Sequence, residues 1–181
     1  MEDRLSGLLF ISETKYGPMV HAKLGIAEEN SGKLVALVKQ KAQEIAQAEG
    51  KRWLIIDGPP GIGCPVIASL SGVDLALVVT EPTLSGIYDM ERVIDLAAHF
   101  GVLTKVFINK CDINWDNTRT IEEICQKRGI EVIGYLPFSE EVVQSLILGM
   151  PVVEYSKGMI AEEIITLWKK IEAIFQKEGK S

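Results

Sequence analysis

An aspartate followed by a proline–glycine turn is the feature of this sequence with the clearest potential for chemistry. Asp57 ends the apolar run Trp53–Ile56, which is typical of a buried strand, and Pro65 suits the first turn of the helix that follows. A carboxylate at the carboxyl end of a parallel strand is a common position for Mg²⁺ and phosphate in α/β proteins. Asp57 is therefore a candidate Mg²⁺ ligand through a water molecule, and the alternative is a strand-to-helix turn in which Asp57 is a capping residue.

Two later strands are also predicted to end in residues that suit a nucleotide. These residues are Asn109, Lys110 and Asp112 after the first strand, and Pro137 and Phe138 after the second. The amide of Asn109 can donate to and accept from a base edge, and Phe138 can form an apolar wall for a purine ring. Because the carboxyl ends of parallel strands meet at one edge of a sheet, the three strand ends predict one ligand crevice. A turn-capping role for Asn109 and a solvated Lys110 remain open alternatives.

The order of predicted elements indicates an α/β fold. Strands and helices alternate with short connections from Trp53 onwards, which favours a mostly parallel sheet with helices on both faces. Residues 1–25 suggest a β-hairpin or an edge extension, and we expect a single domain over residues 1–181. The segment 31–33, Ser-Gly-Lys, lacks the glycine spacing of a phosphate-binding loop, so we interpret it as a helix cap and polar loop.

Composition sets limits on the class of protein. The chain has 181 residues, a formal net charge of −6 and 47% hydrophobic residues, which is typical of one soluble domain. The acidic balance argues against a broad nucleic-acid surface, no apolar run has the length of a membrane span, and no signal-peptide pattern is present. We therefore expect a cytoplasmic protein with no nucleic-acid partner and no membrane span.

The cysteines do not form a metal-binding motif. Cys64, Cys111 and Cys125 are odd in number and widely spaced, without a C-x-x-C pair, so the sequence predicts no iron–sulfur cluster within this chain. Cys64 precedes a predicted helix, whose dipole would increase the reactivity of the thiol, but a small packed residue is the simpler interpretation.

Taken together, these motifs resemble those of a known family. The run from Trp53 to Arg92, with its Asp57-Gly58-Pro59-Pro60-Gly61 switch, resembles the second half of the MinD/ParA-type (deviant Walker) P-loop ATPases. Within that superfamily it is most similar to the MinD-like ATPases that carry an inserted ferredoxin domain. The further segments that carry the resemblance are Thr14–Pro18, Glu28–Val35, Thr80–Thr83, Asp89 with Arg92, and Ile108–Asn114.

The resemblance implies a role for each candidate residue. By this similarity the chain binds ATP and Mg²⁺, and Asp57 is the catalytic switch acid on the Mg²⁺ side. Gly61 would lie near the γ-phosphate, and Asn109 with Pro137 and Phe138 would hold the base. The implied nucleotide-binding set is completed by Gly58, Pro60, Lys110 and Asp112.

Two motifs of that family are missing from the sequence. The glycine-rich loop K-G-G-x-G-K-T that cradles the phosphates does not occur, and neither do the C-x-x-C-x-x-C runs of the ferredoxin domain. We therefore expect the C-terminal portion of such an ATPase, a fold without the phosphate-loop strand, weak or lost ATP binding, and no hydrolysis by the chain alone. The expected partner is a second copy facing the helix after Ser85, or the missing N-terminal phosphate-loop and ferredoxin portion.

Two other functions remain open on the sequence. The missing phosphate loop also fits a non-catalytic interaction module. Residues 109–112 spell N-K-x-D, the motif that reads guanine in GTPases, where the carboxylate accepts from the ring N–H and amino group. The main expectation is the Mg-ATP-dependent switch half of an ATPase linked to iron–sulfur or redox proteins.

Overall fold

The structure is a computed structural model that describes residues 7–24 and 31–177. By residue type, both Asn30 and Ser31 could cap the helix that follows, and Asn30 lies outside the described residues. The chain divides into two compact units, of which the first comprises the described residues up to Asp74 together with residues 99–102. The second comprises residues 75–98 and the described residues from Leu103 onwards. The single-domain organisation over residues 1–181 stays a prediction.

The first unit begins with a β-hairpin. Strand β1 (Gly7–Thr14) pairs antiparallel with strand β2 (Gly17–Leu24), and Thr14 lies opposite Gly17 at the turn. Gly17 has a φ of +131°, a backbone conformation that residues other than glycine rarely adopt. The Thr14 hydroxyl donates to the Gly17 carbonyl at 2.8 Å. The turn chemistry of the sequence thus fixes the register of both strands.

Two helices of the first unit approach each other closely at their N-terminal ends. Helix α1 (Ser31–Ala48) packs against helix α2 (Cys64–Leu70). A Cβ atom on Gly32 would lie 2.9 Å from the Cβ of Cys64, which is closer than side chains tolerate. The Ser-Gly-Lys segment therefore lies in the first turn of α1, and its glycine permits helix packing. The three residues that were predicted as a cap and polar loop, 31–33, are thus the first three residues of α1.

A buried lysine joins the same two helices. Lys39 of α1 is only 8% exposed, and its ammonium donates to the carbonyls of Ser69, at 3.2 Å, and of Ser71. These carbonyls belong to the C-terminal end of α2, where backbone acceptors have no partner within the helix. Burial lowers the pKa of Lys39. Lys39 thus completes the hydrogen bonding of α2 at the cost of partial desolvation of its charge.

A Gly32→Ala substitution is expected to destabilise the fold by about 1–3 kcal/mol, because the added methyl group forces α1 away from Cys64. The free energy of unfolding measured by urea denaturation tests this. Gly58→Ala is the matched control, since a Cβ on Gly58 meets no atom within 4 Å and its φ is not positive. Equal stability of the two variants would contradict the close-approach explanation.

The run Trp53–Ile56 is not a strand, so the prediction of a buried strand before Asp57 is wrong. Among the described residues, no strand pairs with this segment. Ile55 is 77% exposed, although the run was expected in the interior. An apolar run forms a strand only where a neighbouring strand hydrogen-bonds to its backbone N–H and C=O groups. The sequence pattern indicates that the run tends to be buried, but it does not indicate whether such a neighbour is present.

The second unit contains a parallel sheet of the predicted kind. Its strands run in the order β3 (Leu75–Thr80), β4 (Leu103–Asn109) and β5 (Glu131–Leu136), and each neighbouring pair is parallel. Helix α3 (Leu84–His99) connects the first two strands, and helix α4 (Trp115–Lys127) connects the second and third. Three helices follow the sheet, namely α5 (Glu140–Ile147), α6 (Val152–Tyr155) and α7 (Met159–Lys177).

Apolar side chains cover both faces of this sheet, which confirms the predicted α/β class with helices on both sides. One cluster joins Val78, Val106 and Ile108 of the strands to residues of α3 and α4. On the opposite face, Phe107 and Leu136 pack with residues of α5, α6 and α7. Alternate residues of a strand point to opposite faces, so the continuous apolar run of β4 serves both clusters.

The cysteines have different environments. Cys111 and Cys125 are buried, and desolvation raises the pKa of both thiols. They are therefore protonated and poorly nucleophilic at neutral pH. Cys64 is exposed, so its interpretation as a small packed residue is wrong. Within the described ranges, no helix has both the length and the apolar character that crossing a membrane requires.

Candidate functional site

The end of β3 turns sharply into α3 through Thr80–Thr83. The buried Thr80 hydroxyl donates to the Gly86 carbonyl at 2.9 Å, and the Thr83 hydroxyl accepts from the Gly86 N–H at 3.0 Å. Thr83 therefore caps the first turn of α3. A Cβ on Gly86 would clash with the Glu81 carbonyl oxygen, so only glycine permits this close approach. These contacts fix the backbone of Glu81 at the carboxyl end of β3.

The end of β4 is a strained turn. Lys110 has a φ of +52°, and among the described non-glycine residues no other has a positive φ. The Asn109 side-chain oxygen accepts from the Lys110 backbone N–H at 3.1 Å. Asn109 therefore makes the turn-capping contact that the sequence left open, and this contact leaves its Nδ2 group available as a donor.

An ion pair connects the ends of β3 and β4. The Lys110 ammonium lies 2.7 Å from Glu81 Oε1, and the two side chains are 39% and 38% exposed. Such an exposed pair adds little to stability, but it fixes the direction of both side chains at the edge of the sheet. Lys110 is thus ion-paired and not simply solvated. Glu81 is absent from the predicted set of site residues, although it lies in the Thr80–Thr83 segment that the sequence singled out.

Backbone and carboxylate contacts connect the ends of β4 and β5. Asp112 Oδ1 accepts from the Phe138 backbone N–H at 2.7 Å, and the Cys111 N–H donates to the Leu136 carbonyl at 3.0 Å. The buried Thr118 hydroxyl donates to the Cys111 carbonyl at 2.7 Å, which ties the same turn to α4. The Phe138 ring is 52% exposed, and Pro137 beside it is half-buried.

The structure brings together the predicted residues of the second unit. The predicted residues are Asn109, Lys110, Asp112, Pro137 and Phe138. Glu81, which was not predicted, joins them through its ion pair with Lys110. The arrangement offers an amide donor, a carboxylate and an exposed aromatic ring along the carboxyl ends of parallel strands, which is where ligands bind in open α/β sheets.

The remaining predicted residues lie in the first unit. Asp57, Gly58 and Pro60 are exposed, and Gly61 has a φ of +88°, a conformation that favours glycine. Asp57 is therefore an accessible carboxylate on an open, glycine-containing loop. Over residues 7–24 and 31–177, no cluster of three or more His, Cys, Asp or Glu side chains is arranged to hold a metal ion.

The contact of Asp112 bears on which base the site suits. A carboxylate that reads guanine accepts from two donors of the base, whereas one oxygen of Asp112 already accepts from the Phe138 N–H. Asp112 therefore forms a bridge between two strand ends, and its second oxygen remains an acceptor. The geometry favours the interpretation of Asp112 as a positioning residue for Phe138.

An Asp112→Ala substitution is expected to lower the free energy of unfolding by about 1 kcal/mol, because it leaves the Phe138 N–H without its acceptor. Asp112→Asn is the matched control, since its side-chain oxygen still accepts that bond, and we expect a change within about 0.5 kcal/mol. Chemical denaturation of the three proteins measures both differences. A loss of stability in Asp112→Asn equal to that in Asp112→Ala would show that the negative charge, and not the bridge, matters.

Comparison with known sequences finds relatives that match most of this chain. No family model matches the chain. An uncharacterized protein of Methanocaldococcus jannaschii is 31% identical over 155 residues, which cover 86% of this chain and 51% of that protein. An uncharacterized ATP-binding protein of the same organism is 33% identical over 123 residues, 67% of this chain and 44% of that protein. The septum site-determining protein MinD of Thermotoga maritima is 29% identical over 125 residues, 66% of this chain and 46% of that protein.

Comparison with solved structures identifies the same fold. The MinD cell division protein of Aquifex aeolicus matches with a TM-score of 0.66 and 26% identity, over 90% of this chain and 68% of that chain. MinD of Pyrococcus horikoshii, solved with Mg-ADP, matches with a TM-score of 0.62 at 16% identity, over 74% of this chain and 56% of that chain. This second likeness shows the fold alone.

The parallel sheet, its two helical layers and these structural matches define an α/β fold of the P-loop NTPase class. Within that class, the chain is a relative of the MinD-type P-loop NTPases, and its homologues are MinD and MinD-like ATP-binding proteins. The chain spans about half the length of the curated relatives it matches.

Proposed function

We propose that the chain is the base-binding and switch part of a Mg-ATP-dependent, MinD-like ATPase that serves iron–sulfur or redox proteins in the cytoplasm. The observation that carries the proposal is the bonded set of strand ends in the second unit. Glu81 pairs with Lys110 at 2.7 Å, and Asp112 holds the Phe138 backbone at 2.7 Å. These contacts fix the backbone that carries the exposed Phe138 ring and the turn that carries Asn109, before any ligand arrives.

The residues of the second unit are assigned to the base. Phe138, with Pro137 beside it, supplies the apolar surface on which a purine ring stacks, and Asn109 supplies an amide that bonds the base edge. The Asp112 bridge acts on Phe138 and does not itself read the base. Adenine is the proposed base, and the ATP-binding relative of M. jannaschii supports this choice.

Asp57 is assigned to the magnesium ion. Its carboxylate is exposed, and a hard oxygen donor of this kind suits Mg²⁺, which keeps most of its water molecules and needs few protein ligands. When bound, Mg²⁺ neutralises charge on the phosphates. Asp57 would orient one magnesium-bound water, and Gly58, Pro60 and Gly61 would bring backbone groups near the γ-phosphate.

The chain needs a second polypeptide segment for phosphate binding. Its sequence has no G-x-x-x-x-G-K-[ST] motif, whose backbone N–H groups and lysine hold the phosphates in P-loop proteins. The proposed source is an N-terminal phosphate-loop and ferredoxin portion, and a second copy of the chain is the other candidate partner. The exposed Leu84 and Tyr88 lie four residues apart on α3, and the half-buried Arg92 lies over the Tyr88 ring at 5.1 Å, which supports an interface on that helix.

Titration calorimetry with Mg-ATP tests the proposed function. The chain is titrated alone and together with the part of the M. jannaschii ATP-binding relative that lies outside the matched stretch. We expect weak or no binding alone, clear binding by the pair, and about tenfold weaker binding for Phe138→Ala, since stacking of a base on an aromatic ring is worth about 1–3 kcal/mol. Phe100→Ala is the control, because it removes a similarly exposed ring. No binding by the pair, or an equal effect of both variants, would contradict the proposal.

A further inference from the structure

Strand β5 contains a bulge at Ile133. Its neighbours Val132 and Gly134 lie opposite two consecutive residues of β4, so Ile133 itself has no partner in that strand. Gly134 allows this arrangement, because a Cβ atom at that position would lie 2.9 Å from the Phe107 ring. One extra residue disrupts the hydrogen-bond ladder locally and redirects the residues that follow it.

The bulge exchanges the faces of the sheet to which the last residues of β5 point. Val132 packs against the cluster between the sheet and helices α3 and α4, so regular alternation would direct Leu136 to that same face. Leu136 instead packs on the opposite face with Phe107. Tyr135 points to the α4 side, where its hydroxyl donates to Glu122 at 2.7 Å. The bulge therefore sets the direction in which the chain leaves the sheet.

A lysine of α7 holds this bulge. Helix α7 covers the face of the sheet that contains Leu136, and it does so through Ile164 and Leu167. Lys170 lies three residues further along the same side of the helix, and its ammonium donates to the Ile133 carbonyl at 2.7 Å. A residue that a bulge removes from the ladder needs other partners for its backbone groups, and Lys170 supplies one.

Two hydrogen bonds of the candidate base site depend on the residues that follow the bulge. The Leu136 carbonyl accepts from the Cys111 N–H at 3.0 Å, and the Phe138 N–H donates to Asp112 Oδ1 at 2.7 Å. Both bonds therefore begin within five residues of Ile133. A shift of the bulge by one residue would exchange the faces of this segment and break both bonds.

We propose that Lys170 is a positioning residue of the candidate base site. Its bond to the Ile133 carbonyl fixes the bulge, and the bulge fixes the position of the Phe138 ring. The inference rests on the proposed function for the stacking of the base on Phe138. Bulges beside ligand sites commonly redirect a side chain, and the precision of a site depends on the residues that support it from behind. Lys170 acts in this way from the C-terminal helix, without a contact to the nucleotide.

Fluorine NMR of the nucleotide-free protein tests the positioning role. The chain is labelled with 4-fluorophenylalanine, and the Phe138 signal is identified by its absence from Phe138→Leu. Lys170→Met keeps a long side chain that cannot donate, and we expect it to move the Phe138 signal and to speed exchange of the Phe138 amide by about fivefold. Lys170→Arg should restore both values, because a guanidinium can donate to the same carbonyl. Lys169→Met, at the exposed neighbouring position, is the matched control and should change neither.

Titration calorimetry separates this inference from the proposed function. With the phosphate-binding segment present, Lys170→Met should bind Mg-ATP about three- to tenfold more weakly, which is no more than the loss of the Phe138 ring itself. The inference is overturned by an unmoved Phe138 signal in Lys170→Met, by an equal shift in Lys169→Met, or by a moved signal with unchanged ATP affinity. No ATP binding by the unmodified pair would contradict the proposed function alone, because the NMR result is obtained without nucleotide.

Discussion

An Asp57→Asn variant is expected to lose ATP turnover by about a hundredfold or more once the missing phosphate-binding segment is supplied. The substitution keeps the size and hydrogen-bonding capacity of the side chain but removes the negative charge that holds Mg²⁺ and its water. Phosphate release by the chain with the remaining part of the M. jannaschii ATP-binding relative measures the effect.

The fold of that variant is expected to stay intact, because Asp57 is exposed on a loop. Its melting temperature should agree with that of the unmodified protein. Asp116→Asn, at a fully exposed position of α4, is the matched control for loss of one carboxylate and should keep full turnover. Undiminished turnover in Asp57→Asn would contradict the magnesium role, whatever the nucleotide affinity.

An Ile108→Ala variant is expected to lose about 3 kcal/mol of unfolding free energy, because it leaves a cavity in the cluster between the sheet and helices α3 and α4. Ile108 is fully buried and directly precedes Asn109. The position of the candidate base-binding turn therefore depends on this side chain. Urea denaturation measures the loss, and nucleotide titration measures whether the turn is displaced.

The control for this variant is Ile113→Ala, which removes the same atoms from a side chain that is 49% exposed. Its free energy of unfolding should change by no more than about 0.5 kcal/mol. Equal losses in the two variants would show that the stability of the second unit does not depend on the apolar cluster behind the strand ends.

The parts of the fold that the sequence predicts correctly are those with a local cause. The apolar runs before Thr80, Asn109 and Leu136 form the three parallel strands, because each run is continuous and is followed by turn residues. The turn at Gly17 produces the hairpin for a similar reason. The run before Asp57 has the same composition but does not form a strand, since strand formation also requires a neighbour that the sequence pattern does not report.

The candidate site shows the same division. Asn109 and Phe138 were predicted because strand ends carry ligands in open parallel sheets. The bridge from Asp112 to the Phe138 N–H joins residues 26 positions apart, and its pairing depends on how two turns meet in space. The ion pair between Glu81 and Lys110 arises in the same way, so neither contact follows from local pattern or spacing.

The central claim is that the ends of β4 and β5 bind adenine, and photo-crosslinking with 8-azido-ATP tests it most directly. The chain is irradiated with the phosphate-binding segment present, and the labelled peptides are mapped by mass spectrometry. We expect label within residues 109–112 or 135–142 that excess ATP removes and excess GTP does not. Label outside these residues, or label that GTP removes as readily as ATP, would contradict it.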